Sequence, residues 1–566
     1  MTQRFGRFGT CAVAVLLLVG ALPAYAQSAT STGAVGIPIE NATVRATCGG
    51  CHKPDERGRM SRISYQRNTP EGWQDTIRRM MALNGLKMDP AAGREVVRYL
   101  SNNLGLAPEE ARPVAYEVEK RLIDEKDIAP ELQGVCNACH STGRVLSQRR
   151  TRDEWELLMT MHRGWYPLVD RQVFRRMGPV PRERSADGRP PDTRHPHEKA
   201  VDYLAKTYPL QTPEWDRWSA ARRPARLGGA WTISAYEPGK GAAFGSMVLT
   251  PVADSEDEFT SELTFTYARS GEQVRRTGRV TVYTGYQWRG RSSAPAAGAG
   301  AEVFREVMFV DRDLRRIEGR WFTGGYDETG MDVTLLKASG DLTLLGTDRA
   351  ALKRGATGVP VKLFVTNLPG GIQARDVDFG AGVTVTQVAA GDGVVTATVS
   401  VAADAAVGPR DVSLRGSMRP SAAVVYDRID SLRITPEWNL ARTGGVSFPK
   451  RLAQFEAVAY ANGPDRRPGT DDDLRIDVVD AQWSLTEYTA TLNDDDVKFV
   501  GRINESTGLF TPNAEGPNPQ RSGERNNIGD VWVVATVSEG GQVVRGRAHL
   551  LVSPPVYMRF DPTVTP

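Results

Sequence analysis

Four cysteines and two histidines form the first chemistry-bearing pattern in the chain. They stand as Cys48-Gly49-Gly50-Cys51-His52 and Cys136-Asn137-Ala138-Cys139-His140. Two thiols at this spacing, followed at once by an imidazole, suit covalent attachment of a c-type haem. The sulfurs form thioethers to its two vinyl groups, and the histidine is set beneath the iron as proximal ligand. Three other chemistries use paired cysteines: a disulfide in each pair, one zinc site built from both, and a thioredoxin-like redox pair. None of them explains a histidine directly after each pair, twice, and no βαβ pattern surrounds either motif. The expectation is two covalently bound haems c, with His52 and His140 as proximal iron ligands.

The elements that must position these groups form an internal repeat. Gln66-Arg67-Asn68-Thr69 leads to Trp73, and Gln148-Arg149-Arg150-Thr151 leads to Trp155. Each threonine suits a helix N-cap, with acidic residues in the turn that follows. Each unit closes on a similar helix, Val96 to Leu100 and Ala200 to Leu204, like the last helix of a small cytochrome c. Two such units, about 40–105 and 130–208, predict an all-α dihaem domain over 27–212. Aligned on the tryptophans, the seventh residue onward is Met80 in one unit and His162 in the other. Both side-chain types bind haem iron, so Met80 is the candidate distal ligand of the first haem and His162 that of the second. Met81 and Met88 rival Met80, which at helical spacing could equally be core filler. Met177, His195 and His197 rival His162. Arginines in the segment 144–194 suit haem propionates or an acidic partner, although a solvated surface explains any one of them.

The first residues read as an export signal. Arg4 and Arg7 precede an apolar run from Cys11 to Leu22 and an Ala24-Tyr25-Ala26 cleavage pattern, which predicts a signal peptide over 1–26 and a periplasmic location. No later stretch reaches 18 apolar residues, so no membrane anchor is expected. A net charge of +3 gives no argument for nucleic acid or an anionic membrane.

Past residue 213, helical periodicity gives way to short alternating runs such as Leu263 to Tyr267, Val280 to Tyr283 and Val307 to Val310. About eight such strands predict an antiparallel β-barrel or sandwich over 213–339, with a flexible Ala/Gly-rich loop at Ser293 to Ala301. Immunoglobulin-like sandwiches are expected over 340–436 and 437–566. No catalytic constellation is legible there: no cysteine remains, and His549 is the only histidine past position 197. The acidic turn from Asp465 to Asp473 and the run Asp494 to Asp496 offer carboxylates for calcium, and also suit polar turns.

The layout as a whole resembles the alpha subunit of quinohemoprotein amine dehydrogenase. Besides the two haem motifs, the likeness rests on Thr69 to Trp73, on Met161-His162-Arg163-Gly164-Trp165-Tyr166-Pro167 and on the order of a dihaem domain before three β domains. The resemblance implies an electron-transfer subunit that works beside a β-propeller subunit and a small subunit bearing a cysteine tryptophylquinone. In that family the quinone oxidises a primary amine to an aldehyde and ammonia, and electrons pass through the haems to a soluble acceptor such as a small copper protein or cytochrome c. The resemblance also implies a histidine near Asn84, where this chain has an amide that is no iron ligand. A stand-alone dihaem carrier and a haem peroxidase are the competing functions.

Overall fold

Prolines and capping side chains set where the helices of the N-terminal unit begin. The computed structural model describes residues 35–115, 128–137, 142–166, 192, 194–295, 302–323, 329–445, 449–489 and 494–555. The leader, Cys139, His140, Met177 and most of the Ser293 to Ala301 loop lie outside them. The helices of the unit are α1 (Ala42–Cys48), α2 (Pro70–Asn84), α3 (Pro90–Asn103), α4 (Pro108–Ala111), α5 (Gly143–Leu146), α6 (Arg152–Trp165), α7 (Pro196–Thr207) and α8 (Pro213–Ala220). Thr69 and Thr151 are the N-caps of α2 and α6, accepting from Gly72 N and Glu154 N at 3.3 Å each. Thr69→Ala removes the acceptor for one orphan N–H and is expected to cost about 1 kcal/mol, read as a shift in the urea midpoint of the N-terminal unit.

The two tryptophans play the same part in each half. Trp73 Nε1 donates to Leu104 O at 3.0 Å and Trp155 Nε1 to Tyr208 O at 3.3 Å, each carbonyl lying at the C-cap of a closing helix, α3 or α7. Both rings are buried, one among Val44, Met60, Val96 and Leu100, the other among Leu132, Ala200, Val201 and Leu204.

The expectation of an all-α domain needs correction. The repeated Gln-Arg segments are strands β1 (Gln66–Asn68) and β2 (Gln148–Arg150), paired antiparallel with Arg67 opposite Arg149. The equivalent arginines of the two repeats thus meet at the centre of the ribbon, with Gln66 opposite Arg150 and Asn68 opposite Gln148. Three-residue strands separated by helices α2 to α5 leave no periodicity to read, because the pairing is made by distant contacts. The ribbon is buried and its charges are matched. Fully buried Arg67 donates to both oxygens of Glu110, at 2.7 and 2.9 Å, to the carbonyls of Leu210 and Gly105, and to Thr212. Arg149 Nε donates to the same carboxylate at 3.1 Å.

Eight strands follow: β3 (Gly229–Glu237), β4 (Gly241–Pro251), β5 (Glu258–Tyr267), β6 (Gln273–Tyr283), β7 (Gln287–Ser293), β8 (Val303–Val310), β9 (Arg316–Thr323) and β10 (Thr329–Lys337). They form an up-and-down barrel, closed by pairing of β10 with β3. Of the two architectures open to the sequence, the barrel is therefore the one observed. Its interior is filled by Trp231, Trp288, Trp321, Phe265 and Met308. Glycines sit where strands press together: a Cβ at Gly245 would fall 2.0 Å from Thr264 O. The barrel abuts the haem-motif unit through Tyr286 Oη to Leu106 O (2.9 Å), Trp218 Nε1 to Thr284 O (3.0 Å) and an Arg289–Glu71 ion pair.

The next domain holds β11 (Thr343–Thr347), β12 (Ala351–Lys353), β13 (Val359–Thr366), β14 (Val377–Asp378), β15 (Val383–Gly391), β16 (Val394–Val401), β17 (Gly408–Leu414) and β18 (Ser417–Tyr426). Its sheets run β11-β13-β16-β15 and β12-β18-β17-β14 around one apolar core, the strand order of immunoglobulin-type sandwiches. The last domain holds β19 (Ser431–Thr435), β20 (Trp438–Arg442), β21 (Ala453–Gln454), β22 (Glu456–Ala461), β23 (Leu474–Val479), β24 (Gln482–Glu487), β25 (Gly501–Ile503), β26 (Leu509–Pro512), β27 (Gly529–Glu539) and β28 (Gln542–Ser553). The sheet β20-β28-β27-β24 repeats the second order, but the opposite side divides into β19-β22-β23 and β21-β26-β25. Pro512, Pro517 and Pro519 withhold ladder donors in this stretch, which keeps its strands short.

Candidate metal centres

The first motif lies at the end of α1. His52 N donates to Cys48 O at 2.9 Å and Cys51 N to the same carbonyl at 3.3 Å, so the chain keeps winding through the motif. Helical winding brings Cys48, Cys51 and His52 to one side. Cys48 packs against the apolar cluster of Ile39, Val44, Met60, Trp73 and Leu100. His52 Nδ1 lies 2.9 Å from Ser61 O. A carbonyl only accepts, so Nδ1 carries the proton and the lone pair falls on Nε2, the arrangement of an iron-binding imidazole. Burial foremost, and the Arg62 charge, depress the His52 pKa against the opposing pull of the Ser61 carbonyl.

The second motif opens on a cleft of about 1250 Å³, solvent mouth included. Its apolar wall comes from Val135, Val145, Trp155, Leu158, Val201 and Leu204, and both Cys136 and His162 line it. Burial pushes the Cys136 thiol up to about 12. His162 Nδ1 lies 2.8 Å from Leu158 O, one turn back in α6, so this ring too has its lone pair on Nε2. Sulfur on one wall, an imidazole on another and an apolar interior fit a haem. Arg79 and Arg144 also line the cleft, as guanidinium groups suited to propionates.

Of the sequence candidates, Cys136 and His162 are thus brought to one cavity, whereas Cys139, His140 and Met177 lie outside the described residues. His195 caps α7, accepting from His197 N, and His197 is buried at the same helix end; neither lines the cleft. At the first centre, Met80 lies half-buried on α2 with its sulfur 3.6 Å from Asn84 Nδ2. Met81 is exposed, and Met88 packs against the cluster that holds Cys48.

Local sequence gave no sign of α2 as a wall shared by both centres. Trp73 and Ile77 pack into the first cluster, while Gly72, Asp75 and Arg79 line the second cleft. Two ion pairs cross between the units: Arg62 Nε to Glu154 at 2.9 Å, and Arg144 to Asp75 at 3.8 Å. Burial raises the Glu154 pKa, opposed by Arg62 and Arg150.

The acidic turns are occupied by their own neighbours. Asp473 accepts from Gly469 N and Thr470 N and pairs with Arg433, and Asp472 accepts from Thr470 Oγ1. Asp495 and Asp496 pair with Arg521 at 2.8 and 2.5 Å. Among the described residues, no helix is long and apolar enough to cross a membrane.

Comparison with known families matches the chain in four segments. The description "Quinohemoprotein amine dehydrogenase A, alpha subunit, haem binding" matches residues 39–215. Domains II, III and IV of the same alpha subunit match 224–338, 342–427 and 432–563. No curated protein matches the chain. Solved structures give local likenesses. A redesigned beta barrel has 19% identity, covering 21% of this chain and 97% of its own, at a TM-score of 0.18. Human Protocadherin-24 EC1-2 has 9% identity, covering 38% and 98%, at 0.14.

Proposed function

The chain belongs to the family of quinohemoprotein amine dehydrogenase alpha subunits, and from that premise we propose that it is the electron-conducting subunit of a periplasmic enzyme that oxidises primary amines. Amine chemistry takes place on a small partner subunit bearing cysteine tryptophylquinone, assembled with a β-propeller subunit. A soluble copper protein or cytochrome c takes the electrons away. When bound, each haem supplies one-electron storage, so two haems match the two electrons released as an amine becomes aldehyde and ammonia.

In this reading Cys48, Cys51, Cys136 and Cys139 hold the two groups through thioethers, and His52 and His140 are the proximal ligands. His162 is the distal ligand at the second centre. Met80 is the distal ligand at the first, with Met88 its rival. Residues 1–26 are the export leader. The observation that carries the reading is the cleft in which Cys136 and His162 face one apolar interior with Arg79 and Arg144 at its wall. The shared helix α2 supports conduction between the centres, because a helix with its side chains is only about 10–12 Å across.

The test is purification from the native host, with subunits counted on a gel and haem absorbance followed on adding a primary amine. A quinone-staining small subunit, a propeller-sized subunit and amine-driven haem reduction are expected. A chain that purifies alone and stays oxidised with amine would instead be a stand-alone carrier.

A further inference from the structure

The segment after the first haem motif is fastened to the other half of the domain. Ser61 offers the carbonyl that orients His52, and the next residue, Arg62, reaches Glu154 at 2.9 Å. Arg62 has a left-handed backbone (φ +68°), which a non-glycine residue holds only when its surroundings impose it. The surroundings do so from two sides. Ser64 N bonds Met60 O at 3.0 Å and Met60 N bonds Ser64 Oγ at 2.8 Å, making a tight turn. Across the unit boundary, Thr151 N donates to Tyr65 O at 3.2 Å, beside the ion pair. Glu154 is buried in the first turn of α6, the helix that carries His162. The reciprocal contact exists: Arg144, in the segment after the second motif, pairs with Asp75 on α2, the helix that carries Met80.

We propose that the Arg62–Glu154 pair couples the two metal centres, holding the Ser61 carbonyl on His52 from the helix that bears the second centre's distal histidine. Arg62 and Glu154 are positioning residues, and the proposal rests on the haem reading above. A firm Nδ1–H···O=C bond makes the imidazole a stronger donor and favours oxidised iron. Releasing the turn weakens that bond and favours reduced iron at the first haem, although the substituted residue Glu154 belongs to the second repeat.

The test is a spectroelectrochemical titration of the full-length two-haem chain. His162→Met marks the step that belongs to the second haem. Glu154→Gln and Arg62→Ala are then each expected to move the other step to higher potential, by about tenfold in the reduction equilibrium, or ~59 mV for one electron. The double variant should move it no further. A charge effect alone would give opposite signs, since one variant removes a negative charge and the other a positive one. Opposite signs, or an unmoved first step in a protein that still carries both haems, overturns the proposal. The Arg62 side chain is 40% exposed, so R62A keeps the test open if E154Q accumulates poorly. A wild-type chain without two covalent haems would instead refute the haem reading itself.

Discussion

Replacing Cys136 and Cys139 together with alanine is expected to leave a chain carrying one covalent haem in place of two. Cys136 lines the second cleft, and the sequence offers no other cysteine beside that motif to substitute for the pair. The loss should read as one haem mass fewer on the denatured chain and half the haemochrome absorbance per chain. Stability should fall as well. Without its occupant, the wall of Val135, Val145, Leu158, Val201 and Leu204 either faces water or closes on itself, and α6 and α7 lose the surface they pack around. The first haem should persist, because Cys48 packs against a different apolar cluster. Loss of both haems from this variant would mean that the two centres cannot form separately.

Glu110→Ala is expected to destabilise the N-terminal unit by about 3–5 kcal/mol, the range for breaking a buried ion pair from one side. The carboxylate is the shared acceptor for Arg67, which is fully buried, and Arg149, which is nearly so. These arginines lie directly opposite each other in the β1–β2 ribbon, so without Glu110 two like charges face one another in the interior. Glu110 also accepts from Ala107 N at 2.8 Å, a bond that caps α4 and is lost too. Urea unfolding followed in the N-terminal unit checks the magnitude. Burial pushes the Glu110 pKa up, but the hydrogen bonds from Arg67 and the charges of Arg67 and Arg149 outweigh it and leave it lowered. A lowered carboxylate pKa stabilises the fold fully above the unfolded value, ~4.3, and that contribution disappears as pH falls through the folded value. Wild type should therefore lose stability below about pH 4 more steeply than Glu110→Gln, which has no such group to titrate.

What could be read in the sequence was local. The spacing of Cys48, Cys51 and His52 determines their common side of one helical turn, and the Thr-to-Trp interval determines a cap and a buried ring. Those expectations need no knowledge of the rest of the chain. The β1–β2 ribbon could not be read the same way: Gln66 to Asn68 looks like a lead-in to a helix until its distant copy is found beside it. The same holds for the charged residues around the centres. Arg62 and Glu154 are 92 positions apart, and Arg67 and Glu110 are 43 apart, so only the fold makes them partners. Alternation along β5 and β6 predicts strands with one face inward, but whether the sheet closes depends on β10 finding β3. His162 was singled out because few histidines exist. Met80 had rivals of the same chemistry on the same helix and just beyond it, and periodicity could not rank them.

Four thioether bonds would hold both haems to the chain. The measurement that reaches them is the intact mass of the purified chain, taken with its visible spectrum after unfolding and extraction with acidified organic solvent. Two haem masses retained on the polypeptide, with the colour left in the protein fraction, are predicted. A polypeptide at its bare mass, with the colour gone into the solvent, would contradict that attachment.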